Sequence, residues 1–201
     1  FLDRHGNAWR VTTMWVGVHD LFERRLGLFP VAFDAAGRMH TETALGDYPQ
    51  VMPDGPVKPG ASPLAGWRVQ SFGRACGASS SLTNHPPSLA ADENVRTWWS
   101  AATGDAGEWF RMDLGSNMAV HAVQVNFAEQ DCRPAPAGTP AEPHRYSLLG
   151  SDDGVSWRML ADRRLNARPV PHDYLAFDPP VSVRHLKVEN AQMPAGGRFA
   201  L

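Results

Sequence analysis

The sequence predicts an all-β protein whose larger part is a β-sandwich or jelly roll. Long helical periodicity is scarce, short alternating segments recur from about residue 67 onward, and Gly (18) and Pro (17) are frequent enough to punctuate them. Together these two residues make about 17% of the chain, against an average near 12%. Net charge is −2, which gives no electrostatic reason to expect nucleic acid or an anionic membrane surface as partner. No window approaches the roughly 20 apolar residues that a membrane span needs. Phe1-Leu2-Asp3-Arg4 has neither a basic n-region nor an apolar h-region, so localisation is inferred only indirectly.

The first 46 residues read as three short antiparallel strands. Arg10–Val16 is rich in β-branched and aromatic residues, Arg25–Phe33 is a second such run, and Asp34-Ala35-Ala36-Gly37 is a turn leading into Arg38–Thr43. The unit has the size of one propeller blade, roughly 40–50 residues, and one blade cannot bury both its faces. Residues 1–50 are therefore expected to be the end of a larger domain. Residues 51–66 form a linker in which Pro53, Pro56, Pro59 and Pro63 stiffen the chain and forbid ladder hydrogen bonds.

From residue 67 to 201 the strands come in sequence. Glu108–Leu114 places Trp109, Arg111 and Asp113 on one face and Phe110, Met112 and Leu114 on the other. Val120–Phe127 alternates in the same way. Arg145–Ser151 and Trp157–Ala161 form a hairpin about Asp152-Asp153-Gly154, where glycine supplies positive φ. Tyr174–Phe177 and Arg184–Glu189 are two further strands. Pro134–Pro143, with four prolines, is a loop. Leu201 reads as the start of a last strand that is not in the sequence. Cys76 and Cys132 read as buried or half-buried free thiols; a single bridge between them is the alternative.

Four segments carry a resemblance in order and spacing: Ala78-Ser79-Ser80, Asp92-x-Asn94-x-x-Thr97-x-Trp99, Trp109-Phe110-x-x-Asp113-Leu114-Gly115 and Ser151-x-Asp153-Gly154-x-x-Trp157. Together they resemble the discoidin, or coagulation-factor type C, family, which includes sugar-binding modules (carbohydrate-binding module family 32) attached to bacterial glycoside hydrolases. The resemblance implies a discoidin-like jelly-roll β-sandwich over 67–201. It also implies a structural calcium, or sodium, held by the Leu89 carbonyl, the Asp92 carboxylate, the Asn94 carbonyl and Thr97, with the Val188 carbonyl and Glu189 closing the site. Oxygen ligands of this kind suit a hard cation; the competing reading is an Asx-type turn at Asp92 and Asn94. Position 93 is usually glycine in this pattern and is Glu93 here, so a positive φ would strain it. The end-to-end disulfide of the coagulation-type domains has no counterpart near the C-terminus, which disfavours a protein- or lipid-adhesion role.

Trp109 and Trp157 fall on strand patterns and are expected in the core, and Trp99 occupies the buried aromatic position of the pattern. Trp98 is expected nearer the surface. A sugar site combines an aromatic face with a few hydrogen-bonding side chains, and the loop positions offer Asn84, His85, Arg96, Trp98 and His172; the alternative for each is an ordinary solvated loop residue. No catalytic residue is assigned. The carboxylates at Asp34, Asp54, Asp105 and Asp153 sit at scattered turns, not as a facing pair of the kind glycoside hydrolysis needs, and no nucleophile elbow, His-Glu-x-x-His or phosphate loop is present.

At the N-terminus, Gly6–Thr13, Phe22–Pro30 and Gly46-Asp47-Tyr48-Pro49 look like the last blade of a five-bladed propeller hydrolase of the glycoside hydrolase family 43 type, active on xylosidic, arabinosidic or galactosidic linkages. In such a propeller the catalytic acid and base come from earlier blades, and His19, Glu23 and Arg24 would line its pocket or form a surface loop. The expectation is thus the C-terminal portion of a secreted or periplasmic bacterial glycoside hydrolase. Its sandwich would bind a plant-type or other polysaccharide while catalysis resides in the propeller of the same parent chain. The alternative is a non-binding sandwich that braces that propeller.

Overall fold

The computed structural model describes residues 1–15, 24–41, 52–57, 68–94, 96–133 and 142–201. The chain divides into two compact units, Phe1–Val69 and Gln70–Leu201. His19 and Glu23 lie outside the described residues, as does most of the expected linker and the Pro134–Pro140 part of the proline loop.

In the first unit, β1 (Ala8–Trp15), β2 (Arg24–Phe33) and β3 (Met39–Thr41) form an antiparallel sheet in the order β1-β2-β3. The carboxylate of Asp3 organises the entry to β1: it accepts hydrogen bonds from the backbone N–H groups of His5 and Asn7, from Asn7 Nδ2 and from Trp9 Nε1, at 2.8–3.1 Å. The turn between β2 and β3 closes the same way, with Asp34 Oδ1 accepting from the N–H groups of Ala36 and Arg38 and Gly37 at φ +75°. Trp9 and Phe29 are buried. They lie on opposite faces of the sheet, since Trp9 pairs with Pro30 and Arg10 with Phe29; toward the β2–β3 end Phe33 is 61% exposed and Met39 53%. An apolar hollow of about 410 Å³ is lined by Leu2, Trp9, Val11, Val31, Phe33 and Met39.

The second unit contains β4 (Ala75–Ala78), a short 3-10 turn (Pro87–Ala91), β5 (Trp109–Asn126), β6 (Arg145–Ser151), β7 (Arg158–Asp162), β8 (His172–Gln192) and a second 3-10 turn (Pro194–Gly196). The strands are antiparallel in the order β4-β5-β8-β6-β7. Two expectations need correction here. The segments Glu108–Leu114 and Val120–Phe127 are one strand, β5, and Tyr174–Phe177 and Arg184–Glu189 are likewise one strand, β8. The sequence looks broken because the ladder between them is broken. Pairing skips from Asp113 to Met118 and from Val120 to Ala122, and Gly115 at φ +90° and the Pro179-Pro180 pair fall in the gaps. Prolines sit without cost where no N–H is needed for pairing. Such bulges bend a strand and let it pass from one layer of a sandwich to the other.

The core follows the alternation. Phe110, Met112 and Leu114 of β5, Tyr146 and Leu148 of β6, and Val183 and Val188 of β8 pack with Trp99, Phe127 and Phe199. Burying each such side chain contributes on the order of 2 kcal/mol. Trp99 is fully buried, tilted against Phe110 at 5.4 Å and edge-on to Phe199 at 5.3 Å. Its indole N–H reaches the Ser80 carbonyl and the Ser81 hydroxyl, as a buried indole requires.

Trp109 and Trp157 do not lie in the core. Both are half-exposed. Because β5 turns Phe110 and Met112 inward, its period of two turns Trp109 outward. Cys76 and Cys132 are free, half-buried thiols, and burial pushes both up to about 11.

Candidate carbohydrate site and ion loop

At one end of the sandwich several loops run side by side. Leu82 N–H donates to Ser100 O and Ser100 N–H to His85 O, while Trp99 and Leu201 exchange both of their backbone hydrogen bonds. Ala128 N–H donates to Ala200 O, and Arg198 N–H to Gln130 O. With Trp99 committed to the core, its neighbour Trp98 turns the other way. The Trp98 indole stacks on the His85 imidazole at 4.4 Å between ring centroids and 30° between planes. Its Nε1 donates to Gln130 Oε1 at 3.0 Å, and His85 Nδ1 lies 3.1 Å from the Trp98 carbonyl.

Gln130 extends this cluster. Its Nε2 donates to Asp131 Oδ1 at 2.8 Å, and Asp131 Oδ2 pairs with Arg198 Nε at 2.6 Å. Arg198 also donates to the Ala102 carbonyl. Asp131 is held at φ +57°, an unusual backbone for a non-glycine residue. The end of the sandwich thus presents a half-exposed aromatic pair next to amide, carboxylate and guanidinium groups. That combination can stack on a sugar ring and hydrogen-bond its hydroxyls.

Of the five loop residues singled out by sequence, His85 and Trp98 are brought together, and Asn84 is exposed beside them. Arg96 is exposed in the preceding turn, its N–H bonded to Asn94 Oδ1. His172 stands at the start of β8, its Nδ1 2.9 Å from Asn126 Oδ1. Gln130, Asp131 and Arg198 were missed; they lie 32 or more positions from Trp98 in sequence, and no local pattern marks them.

The 3-10 turn Pro87–Ala91 ends at Asp92, and residues 92–97 form the loop expected to hold a cation. Asp92 Oδ1 accepts from Asn94 N–H at 2.9 Å and Oδ2 from the Thr97 hydroxyl at 2.7 Å. Thr97 Oγ1 also lies 3.0 Å from the Asn94 carbonyl. Glu93 sits at φ +56°, the conformation for which glycine is the ordinary choice. This is Asx-turn geometry, and it gathers carboxylate, carbonyl and hydroxyl oxygens of the kind a hard cation takes. Leu89 is half-buried within the 3-10 turn.

Val188 and Glu189 are on β8, where Val188 is buried and Glu189 lies between Trp109 of β5 and Ser147 of β6. The Glu189 carboxylate is 3.0 Å from Lys187 Nζ, so an ammonium already balances its charge. Among the described residues no three His, Cys, Asp or Glu side chains gather at one point. The oxygens of Asp92, Asn94 and Thr97 are of the kind a hard cation takes, and Glu189 is paired with Lys187.

Glu108 accepts hydroxyl hydrogen bonds from Ser79, Ser80 and Thr103. Burial pushes its carboxyl up, but the three hydroxyls outweigh it and hold Glu108 below the usual carboxylate range. This explains the Ala78-Ser79-Ser80 segment structurally: its hydroxyls fix the start of β5 through Glu108.

The fold, though not the site, has counterparts among known proteins. Residues 75–201 match the F5/8 type C domain, and the chain belongs to that family. Its second unit is a discoidin-type β-sandwich. Among solved structures, chitosan-binding module 2 of a chitosanase/glucanase from Paenibacillus sp. IK-5, in complex with chitotriose, is similar over 66% of this chain and 95% of its own, at 21% identity and TM-score 0.53. Chitosan-binding module 1 of the same enzyme covers 67% and 95% at 19% identity and TM-score 0.54. The CpGH89CBM32-4 module produced by Clostridium perfringens covers 67% and 94% at 13% identity and TM-score 0.54. No curated protein matches the chain.

Proposed function

We propose that the F5/8 type C domain of this chain is a carbohydrate-binding module that takes its ligand at the end of the sandwich, on the Trp98–His85 pair. The observation that carries this reading is the half-exposed indole stacked on an imidazole and ringed by Gln130, Asp131 and Arg198. Asn84, Arg96 and His172 are assigned a peripheral role at most. The likeness to a module crystallised with chitotriose supports an oligosaccharide as the class of ligand.

The parent protein is read as a bacterial glycoside hydrolase acting outside the cytoplasm, with residues 1–50 as the last blade of a family 43-like propeller. The exposed apolar side chains of the three-stranded sheet, Val11, Phe33 and Met39, support a unit that needs a covering layer. On this reading the described segment binds, and hydrolysis belongs to other blades.

A structural calcium is assigned to the Leu89 carbonyl, Asp92, the Asn94 carbonyl and Thr97, leaving Glu189 to Lys187. Bound there it would neutralise Asp92 and lock the 92–97 loop that leads into Trp98 and Trp99. Asp92→Ala is expected to lower the melting temperature and to remove any rise on adding calcium. Equal melting curves of the parent in calcium and in chelator would end the ion assignment.

The binding test is affinity gel electrophoresis of the chain in xylan, arabinan, galactan and chitosan. Retardation by one polymer, weakened at least tenfold by Trp98→Ala, is the expected outcome. Retardation unchanged in Trp98→Ala would move the site, and none on any polymer would favour a sandwich that only braces the propeller.

A further inference from the structure

The outward face of the β4-β5-β8-β6-β7 sheet carries a second set of aromatic and charged groups that the loop-end site does not use. Register places Trp109 opposite Glu189, Arg111 opposite Lys187 and Asp113 opposite His185. All of these point away from the core formed by Phe110, Met112 and Val188. The Arg111 guanidinium lies over the Trp109 ring at 5.3 Å, and Lys187 Nζ over the Trp157 ring at 5.0 Å. Two cations directly opposite each other on antiparallel strands repel, and each is held in place by an indole.

The carboxylates of this face are already taken. Asp113 is bound bidentately by Arg184 at 2.8 Å for both contacts. Glu189 pairs with Lys187 at 3.0 Å, and Asp162 with Arg164 at 2.6 Å. Arg111 is exposed and, among the described residues, has no carboxylate partner. Opposite it on β4 stands Gly77, over whose bare backbone the guanidinium lies; a Cβ there would sit 3.2 Å from Arg111 Nε. Among the described residues the surplus positive charge of the face is therefore a single guanidinium, preorganised by Trp109 and open to solvent, in a chain whose net charge is −2.

We propose that this sheet face is a second carbohydrate-binding surface, specific for polysaccharide bearing uronic acid carboxylates, with Arg111 taking the carboxylate. A guanidinium matches a carboxylate with two parallel N–H···O bonds, as Arg184 does with Asp113 on the same face. The anion also relieves the repulsion between Arg111 and Lys187. Trp109 on β5 and Trp157, which reaches Lys187 and His185 on β8, border the carboxylate position on its two sides. The sugar chain would run across the strands between them. The surface does not depend on the Trp98 site and can stand if that site fails.

The test is affinity electrophoresis and calorimetric titration of the whole chain with polygalacturonate, and with neutral galactan as control, at low and high salt. The expected result is retardation by polygalacturonate that weakens with salt, falls at least tenfold in Arg111→Ala and in Arg111→Gln, and is unchanged in Trp98→Ala. Coincident melting curves of parent and both Arg111 variants exclude misfolding as the cause. The proposal is overturned by no binding to polygalacturonate, by equal affinity in either folded Arg111 variant, by loss in Trp98→Ala, or by equal binding of neutral galactan.

Discussion

Glu93 shows how far one residue can depart from a pattern at tolerable expense. It holds φ +56°, a left-handed backbone that costs a side-chain-bearing residue roughly 1–2 kcal/mol. The loop persists because Asp92 and Thr97 hold it from both sides. Glu93→Gly is therefore expected to raise stability by about 1 kcal/mol in chemical denaturation, without altering the Asp92 hydrogen bonds. A decrease would mean that the Glu93 side chain, whose Oε1 is 3.5 Å from Ser71 Oγ, contributes more than the backbone loses. At the same scale, His85 and Trp98 were legible as site candidates because aromatic and imidazole groups on a loop suggest ligand contact. Gln130, Asp131 and Arg198 were not, since nothing local to them distinguishes them from other loop polar residues.

At the scale of elements, the turns that flank the long strands β5 and β8 are pinned by close backbone approaches. Gly104 is one of them: a Cβ built there would overlap the Gly197 carbonyl, and backbone cannot step aside as a side chain can. The same turn receives both amide hydrogens of the buried Asn190, on the Gly104 and Asp105 carbonyls at 2.8 and 2.9 Å. Gly104→Ala is expected to cost about 3 kcal/mol or more, read as a shift of the denaturation midpoint. A change below about 0.5 kcal/mol would show that the 103–108 turn is not pinned to Gly197. By contrast, Gly150 faces the ends of the Val183 and Leu160 side chains, which can rotate, so its replacement by alanine is expected to cost less. The strand pattern itself was readable from alternation. Its continuity through Gly115 and Pro179-Pro180 was not, because a bulge and a break look alike in one dimension.

For the whole molecule, one buried imidazole makes folding sensitive to acid between about pH 6.5 and 4. His144 is 1% exposed and stacked on Phe127 at 4.4 Å, and neither ring nitrogen has a hydrogen-bond partner among the described residues. Burial holds it neutral and lowers it to about 4. The unfolded chain takes up a proton near pH 6.5 while the folded protein resists until about pH 4. Stability is therefore fully present above pH 6.5 and lost as pH falls through that window. At about 1.4 kcal/mol per pH unit the loss amounts to about 3 kcal/mol. His144→Phe, which can keep the stack on Phe127, is expected to flatten the melting temperature between pH 6.5 and 4. An unchanged slope would place the acid sensitivity in other groups. Asp113 titrates lower still, held down by the Arg184 hydrogen bonds and the Gly115 N–H, so its contribution is lost only at more acid pH.

By itself the sequence determined the all-β class, the turn positions, which residues of each strand share a face, and the Asp92–Thr97 loop. These follow from local rules: a period of two, the demand for glycine at positive φ, and side chains that bond their own backbone. It also carried the motif order that defines the F5/8 type C family. Only the tertiary structure decided that Trp109 and Trp157 face solvent beside Arg111 and Lys187. Alternation shows that two residues share a face but not which face is covered. Likewise it alone brought Gln130, Asp131 and Arg198 to Trp98, since contacts between loops far apart in sequence arise from how strands stack and turn, and no local segment encodes that.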